Sequence, residues 1–391
     1  MKTLKVVDLF AGPGGLGEGF SSSLNAKGEP QYKIAISIEK DVAAHRTLTL
    51  RAVFRQFPRN QVPECYYRFL AGELGDTPEA QLYDLPEMLE AVKLAREEAR
   101  LIELGVTPQV IVNKAIRTAL GTEDFILVGG PPCQAYSMVG RVRNIGDKSS
   151  QYNPDADHRN FLYKEYLKVI AKFQPVAFVM ENVKGMLSAK TSEGAVFPRI
   201  LSDLSDPCKH SGTKPDAGRK KHTYELHSLV VSPEKDLFDA TAAVALRPKD
   251  FVIQAERYGI PQKRHRVILL GLRSDLVLGT GMPTLDLKRN LYSVSQAISD
   301  LPAIRSSLSK QPDSLREWAS IPSQVSKLLP KNFSKLSNTT TNGITQARNP
   351  SRQLGLGSEF GLKTDYQGVS SELLSWFRDP KMNGCVVNHH S

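Results

Sequence analysis

Cysteine is scarce: the 391 residues hold four, Cys65, Cys133, Cys208 and Cys385. They are far apart and form no C-x-x-C pair, which excludes a disulfide framework and a zinc knuckle. Cys208 and His210 are the nearest thing to a metal pair, and two ligands in a polar stretch do not make a site, so no metal is expected. No run of about 18 apolar residues occurs, and the apolar run behind Met1 is too short for a signal peptide. A cytoplasmic protein in a reducing setting, with no membrane partner, is expected. No internal repeat occurs. With 40% hydrophobic and 24% charged residues the chain has an ordinary globular composition, which excludes disorder throughout. The 51 Lys and Arg exceed the 41 Asp and Glu, and a net charge of +10 attracts polyanions such as nucleic acid.

Residues 4–10, Leu-Lys-Val-Val-Asp-Leu-Phe, read as a buried parallel strand that runs into a glycine cluster. A second strand over 33–38 ends at Glu39, and 41–57 has helical composition. This is the opening of a doubly wound α/β sheet. One or two helices are predicted over 79–120, with Leu85, Met88, Leu89, Val92 and Leu94-Ala95 on the apolar stripe. Further strands are predicted over 125–128, 175–180 and 267–272, with a helix over 163–173 and a basic loop over 205–223. Residues 303–360 are rich in Ser, Asn, Gln, Thr and Pro and read as loosely structured or dependent on a partner.

Gly12-Pro13-Gly14-Gly15-Leu16-Gly17 follows a predicted strand and satisfies G-x-G-x-x-G, a turn whose missing Cβ atoms let a ligand approach the backbone. Glu39, at the end of the next strand, supplies a carboxylate that can accept from ribose hydroxyls. A nucleoside cofactor is implied, with nicotinamide and S-adenosylmethionine not separated at this point. Gly129-Gly130-Pro131-Pro132-Cys133-Gln134 follows another buried strand and puts a thiol in a rigid loop at the carboxyl edge of the sheet. Glu181, in Met180-Glu181-Asn182-Val183, reaches the same edge and can move protons. Gln262, Arg264 and Arg266 alternate just before the last strand and would share a face.

Taken together, Asp8-Leu9-Phe10-Ala11-Gly12-Pro13-Gly14-Gly15, Gly130-Pro131-Pro132-Cys133-Gln134, Glu181-Asn182-Val183 and Gln262-x-Arg264-x-Arg266 resemble, in identity and order, the signature blocks of the cytosine-5 DNA methyltransferases. Ile38-Glu39-Lys40-Asp41, Arg159 to Glu165 and Tyr258 to Arg264 are similar to lesser blocks of that family. The resemblance covers roughly 4–273, with insertions near 72–122 and 189–223. It implies a Rossmann-like S-adenosylmethionine-dependent fold, a mostly parallel twisted sheet with helices on both faces. The catalytic domain would span 1–275, and 276–391 would be a loosely structured extension.

The resemblance also implies roles. Cys133 adds to C6 of cytosine, Glu181 protonates ring N3, and Asn182 positions the loop. Arg266 contacts the base at O2, while Arg264 holds the Cys133 loop and a phosphate. For S-adenosylmethionine, Phe10 meets adenine, Glu39 the ribose and Pro131 the adenosine wall, with Gly12, Gly14, Gly15, Leu16 and Gly17 forming the turn. Asp76 is a candidate for the adenine amino group. Double-stranded DNA with the base flipped out is the implied substrate, in a restriction–modification system. Transfer to tRNA cytosine and a non-catalytic DNA-binding subunit stay open as alternatives. The family's later Arg-x-x-x-Arg-Glu and Gly-Asn blocks are not found in these residues. The expectation is therefore a larger subunit of a split enzyme, its second subunit supplying target recognition and the last cofactor helix, or else a truncated product.

Overall fold

The structure, a computed structural model, describes residues 3–132 except 59 and 76, 162–231 except 192 and 193, 246–277, 283–288 and 291–302; beyond these it describes 308, 314–318, 320, 361–362, 379, 381–382 and 384–385. Cys133, Asp76, residues 159–161 and most of the Ser- and Asn-rich tail lie outside the described residues. Contacts group the chain into two units, one of residues 1–60 with 90–292 and one of 61–89 with 293–391.

In the first unit, strands β1 (Leu4–Leu9), β2 (Tyr32–Glu39), β3 (Ala99–Leu101), β4 (Phe125–Gly129) and β5 (Ala177–Val183) lie parallel in the order β3-β2-β1-β4-β5. Strands β6 (Tyr224–His227), β7 (Val252–Gln254) and β8 (His265–Arg273) follow. β8 pairs antiparallel with β5, β6 and β7 and closes the sheet on that side. Chain order reverses direction at β1, with β2 on one side and β4 on the other. The carboxyl ends of these strands frame the crevice in which open α/β sheets bind ligands.

Both faces of the sheet are covered, which is why its strands read as near-continuous apolar runs. On one face Val7, Leu9, Ile36, Ile38, Leu127 and Met180 pack against α4 (Gln109–Leu120), α5 (Leu162–Phe173) and α6 (Val196–Ser205). On the other, Val6, Ile34 and Val128 meet Leu16 and Phe20 of α1 (Gly15–Ser21). α2 (Val42–Arg55) starts where the Asp41 carboxylate accepts from the Ala44 amide at 2.8 Å, an N-cap. The second unit holds short helices over Glu64–Leu70 and Pro78–Tyr83, where the Tyr67 hydroxyl donates to Asp379 at 2.7 Å.

The predicted strands and the helices at 41–57 and 163–173 form within a few residues of their expected bounds. The helical stretch 79–120 is broken by β3, a three-residue edge strand whose Ala-Arg-Leu carries no strand pattern. In α3 (Leu89–Glu98) the buried stripe is Ala91, Val92, Ala95 and Glu98, so Leu89 and Leu94 point to solvent, contrary to expectation. The basic stretch 205–223 is not all loop: Asp206 caps a five-residue turn, Pro207–Ser211, by accepting from the Lys209 amide. β8 begins at His265, and residues 260–264 turn through bonds from Gln262 N to Ile260 O and from Arg264 N to Gln262 O. The strand alternation expected for Gln262 therefore does not reach it.

The wholly buried Tyr166 hydroxyl lies 3.2 Å from the Leu127 carbonyl and 3.0 Å from that of Val179, tying β4 to β5 just below the ends that carry the site. A Cβ on Gly129 would sit 2.6 Å from the Leu9 carbonyl and 3.0 Å from the Tyr166 ring. Gly129→Ala is expected to lose about 1–3 kcal/mol, seen as a lower urea midpoint with an unchanged slope. An unshifted midpoint would contradict this packing.

Candidate active site

Two clusters form at the carboxyl edge of the sheet. The first is a cavity of about 150 Å³. Phe10, Ile38, Ile102, Leu104 and Leu162 give it apolar walls, Glu39, Lys40 and Glu103 bring charge, and Gly130 and Pro132 close one side. Phe10 follows β1 directly and holds φ at 58°, a left-handed conformation that costs a phenylalanine about 1–3 kcal/mol. The chain then turns through Gly12 and Gly14. At Gly14, with φ at 98°, a Cβ would approach the Leu48 side chain to 2.9 Å.

Glu39 holds this turn in place. One carboxylate oxygen accepts from the Gly12 amide at 2.7 Å, and the other from the Lys40 and Asp41 amides at 2.8 and 2.7 Å. The oxygen that accepts from Lys40 and Asp41 is thereby filled, while the one bonded to Gly12 keeps a second lone pair. Leu16 packs inward on the sheet, and Gly15 and Gly17 belong to the helix rather than the lining.

The second cluster centres on Glu181 in β5. Its Oε1 lies 2.6 Å from Arg266 Nε and 3.8 Å from Arg264, and all three side chains are partly exposed. The antiparallel register explains the meeting: Arg266 stands opposite Val183 and Ile268 opposite Glu181, so the two charges are diagonal neighbours on one face. Asn182 points the other way and is buried. Its Nδ2 donates to the Pro131 carbonyl at 3.1 Å, and its Oδ1 accepts from the Val183 amide at 2.9 Å. A Cβ on Gly130 would lie 3.2 Å from Glu181 Oε2, so the loop leading to Cys133 starts beside the carboxylate.

The structure thus gathers Phe10, Glu39 and the Gly130–Pro132 loop around one cavity, and Glu181, Arg264 and Arg266 beside the same loop. Pro131 does not line the cavity; its carbonyl is the anchor for Asn182. The sequence reading missed Glu103, which stands in the cavity paired to Lys40 Nζ at 2.9 Å. Its signal was weak, an acid two residues past a strand too short to notice.

One buried group stands out. Asp8, wholly enclosed in β1, makes no well-formed hydrogen bond through either carboxyl oxygen among the described residues, although the Gly17 amide is near enough to act on it. Burial pushes its pKa up to about 7, against the pull of the Gly17 amide and Arg55. The folded chain therefore binds a proton that the unfolded chain releases near pH 4. Stability is greatest at the acid end of that interval and falls as pH rises through about 7, by about 4 kcal/mol in all. Melting curves at pH 6 and pH 8 check this: Asp8→Asn should flatten the difference, and an equal slope in both proteins would refute it.

Comparison with known proteins comes from sequence. The family model described as "C-5 cytosine-specific DNA methylase" matches residues 112–207 and 249–358, over half of the chain. The chain is 27% identical over 291 residues to the type II methyltransferase M.Bpa9945I of Bacillus paralicheniformis, a match that takes in 69% of this chain and 54% of that protein. It is 26% identical over 272 residues to the type II methyltransferase M.AquIA of Picosynechococcus, covering 69% and 72% of the two chains. With the DNA (cytosine-5-)-methyltransferase M.ApeKI of Aeropyrum pernix it shares 29% identity over 177 residues, 42% of this chain and 30% of the other. The chain spans about half the length of the first of these relatives.

Proposed function

The chain belongs to the C-5 cytosine-specific DNA methylase family, and from that premise we propose that it transfers a methyl group from S-adenosylmethionine to C5 of cytosine in DNA. The observation that carries this reading is the pairing of Glu181 with Arg266 at 2.6 Å beside the Gly130–Pro132 loop that runs into Cys133. The type II methyltransferases among its relatives support a place in restriction–modification.

The cavity, at about 150 Å³, suits the adenosine end of the cofactor. Its apolar walls suit a purine, Glu39 retains accepting capacity for ribose hydroxyls, and the glycine turn leaves the backbone open. Phe10 and Glu103 line the cavity; Phe10 would meet the adenine and Glu103 would accept from its amino group, the role that the sequence left to Asp76. When bound, S-adenosylmethionine supplies a methyl group made electrophilic by its sulfonium.

Cytosine C5 is a poor nucleophile until a thiolate adds to C6 and loads the ring with electron density. Cys133 makes that bond, and after methylation it leaves again by β-elimination as water or hydroxide takes the proton from C5, which restores the ring and the thiolate. Glu181 gives a proton to N3, which offsets the charge as it develops, and Arg266 keeps the carboxyl aimed while contacting O2. Asn182 fixes the Cys133 loop through the Pro131 carbonyl, and Arg264 answers a phosphate. The thiol must approach the face of the ring, so the base leaves the helix stack.

The test is incubation of the full chain with duplex DNA, or with RNA of the same sequence, and methyl-labelled cofactor, followed by nucleoside analysis. Labelled 5-methylcytosine from DNA alone is expected. Label in RNA alone moves the substrate to RNA, and label in neither polymer, with no cofactor bound, overturns the reading. The expected second subunit is tested in the same assay, because full-rate, site-specific methylation by the isolated chain would sink it.

A further inference from the structure

Asp8 is used by none of these steps, yet it lies directly under the glycine turn: a Cβ on Gly17 would be 3.4 Å from its Oδ2. Beside it in register on β2 is Ser37, also buried, whose hydroxyl has no partner among the described residues. Both side chains face away from the larger core, since their strand neighbours Val7 and Leu9 on β1 and Ile36 and Ile38 on β2 pack into it.

The charges around this spot do not balance. From α1, Glu18 pairs with Arg51 at 2.8 Å and with Arg55; from α3, Glu98 pairs with Arg55. Arg55 is nearly enclosed, and its Nε finds no acceptor among the described residues. Lys33 of β2 acts on Glu98, and Glu39 at the end of β2 is held by three backbone amides. From the opposite face, Tyr166 of α5 feels Asp8 as a neighbouring acid. Three carboxyls, those of Asp8, Glu18 and Glu98, thus share two guanidinium groups. Glu18 and Glu98 hold both of them, so Asp8 is left to carry a proton.

We infer that Asp8 is a proton-linked positioning residue for the cofactor: a cation seated on the glycine turn expels the Asp8 proton to solvent, and the carboxylate left beneath Gly17 balances the cation's charge. The step balances as Asp8–COOH giving Asp8–COO⁻ and one solvated proton, with no other bond made or broken. It rests on the proposed use of S-adenosylmethionine. That molecule carries one more positive charge than S-adenosylhomocysteine, the thioether left after transfer. Ionised Asp8 therefore favours donor over product and helps the spent cofactor leave.

Titration calorimetry of the full chain tests this, using S-adenosylmethionine and S-adenosylhomocysteine in buffers of differing ionisation enthalpy. Near pH 7 the donor is expected to release roughly half a proton per site and the product less, with release falling away at pH 5.5 and pH 8.5. Asp8→Asn should abolish the release and narrow the preference for donor over product about tenfold at pH 8. The pH profile of the wild-type chain decides the matter even if the variant does not fold. Binding without proton release, or release unchanged in Asp8→Asn, overturns the role of Asp8 alone. No binding of either molecule overturns the cofactor assignment, and this inference with it.

Discussion

Cys133→Ala is expected to abolish methyl transfer, with a loss of at least about 10⁴-fold, while S-adenosylmethionine still binds. The size of the effect follows from the chemistry. Without a thiolate at C6 the ring never gains the electron density that C5 needs, and no neighbouring group among those in the site is a comparable nucleophile. The cofactor should be indifferent, since Phe10, Glu39 and Glu103 wall its cavity and all three remain. The measurement is trapping on duplex DNA containing 5-fluorocytosine with the cofactor present. Fluorine cannot leave from C5 as a proton does, so the thiol stays bonded and the complex survives a denaturing gel. The wild-type chain should show the adduct and Cys133→Ala should not. An adduct that persists in Cys133→Ala would remove Cys133 from the mechanism.

The second large effect belongs to Glu181→Gln, expected to slow transfer about 10²–10⁴-fold with DNA and cofactor affinities changed only a few-fold. Glutamine keeps the shape and can still face Arg266, but it cannot hand a proton to N3. It also leaves the Arg266 guanidinium without the carboxylate that now lies 2.6 Å away. A loss confined to KM would instead mean that Glu181 serves only to hold Arg266 against the DNA. Single-turnover rates at saturating DNA separate the two outcomes, because protonation acts on the chemical step and not on binding.

Both predictions start from residues that could be read before any fold was known, and the reason is local. A buried parallel strand is a short β-branched run, and the turn after it must contain glycine, so Leu4–Leu9 with Gly12-x-Gly14 and Phe125–Gly129 with Pro131-Pro132 are visible as strings. The family signature is likewise carried by identity and spacing along the chain. Elements set by partners were not visible in this way. β3 is three residues long and exists because β2 offers an edge, and α3 buries Ala91, Val92 and Ala95 while leaving Leu89 and Leu94 exposed, a choice of face set by its neighbours.

The sequence by itself determined the order of strands and turns, the glycine and proline positions that shape them, and the identity of the acid, thiol and guanidinium groups. Only the tertiary structure decided which of them meet. Antiparallel pairing of β8 with β5 brings Arg266 to Glu181 across some 85 residues of chain. The parallel register puts Asp8 beside Ser37 and under Gly17, and the end of β3 delivers Glu103 to the cavity beside Glu39. Such meetings depend on strand register and burial, which are settled by packing between distant segments and leave no local pattern to read.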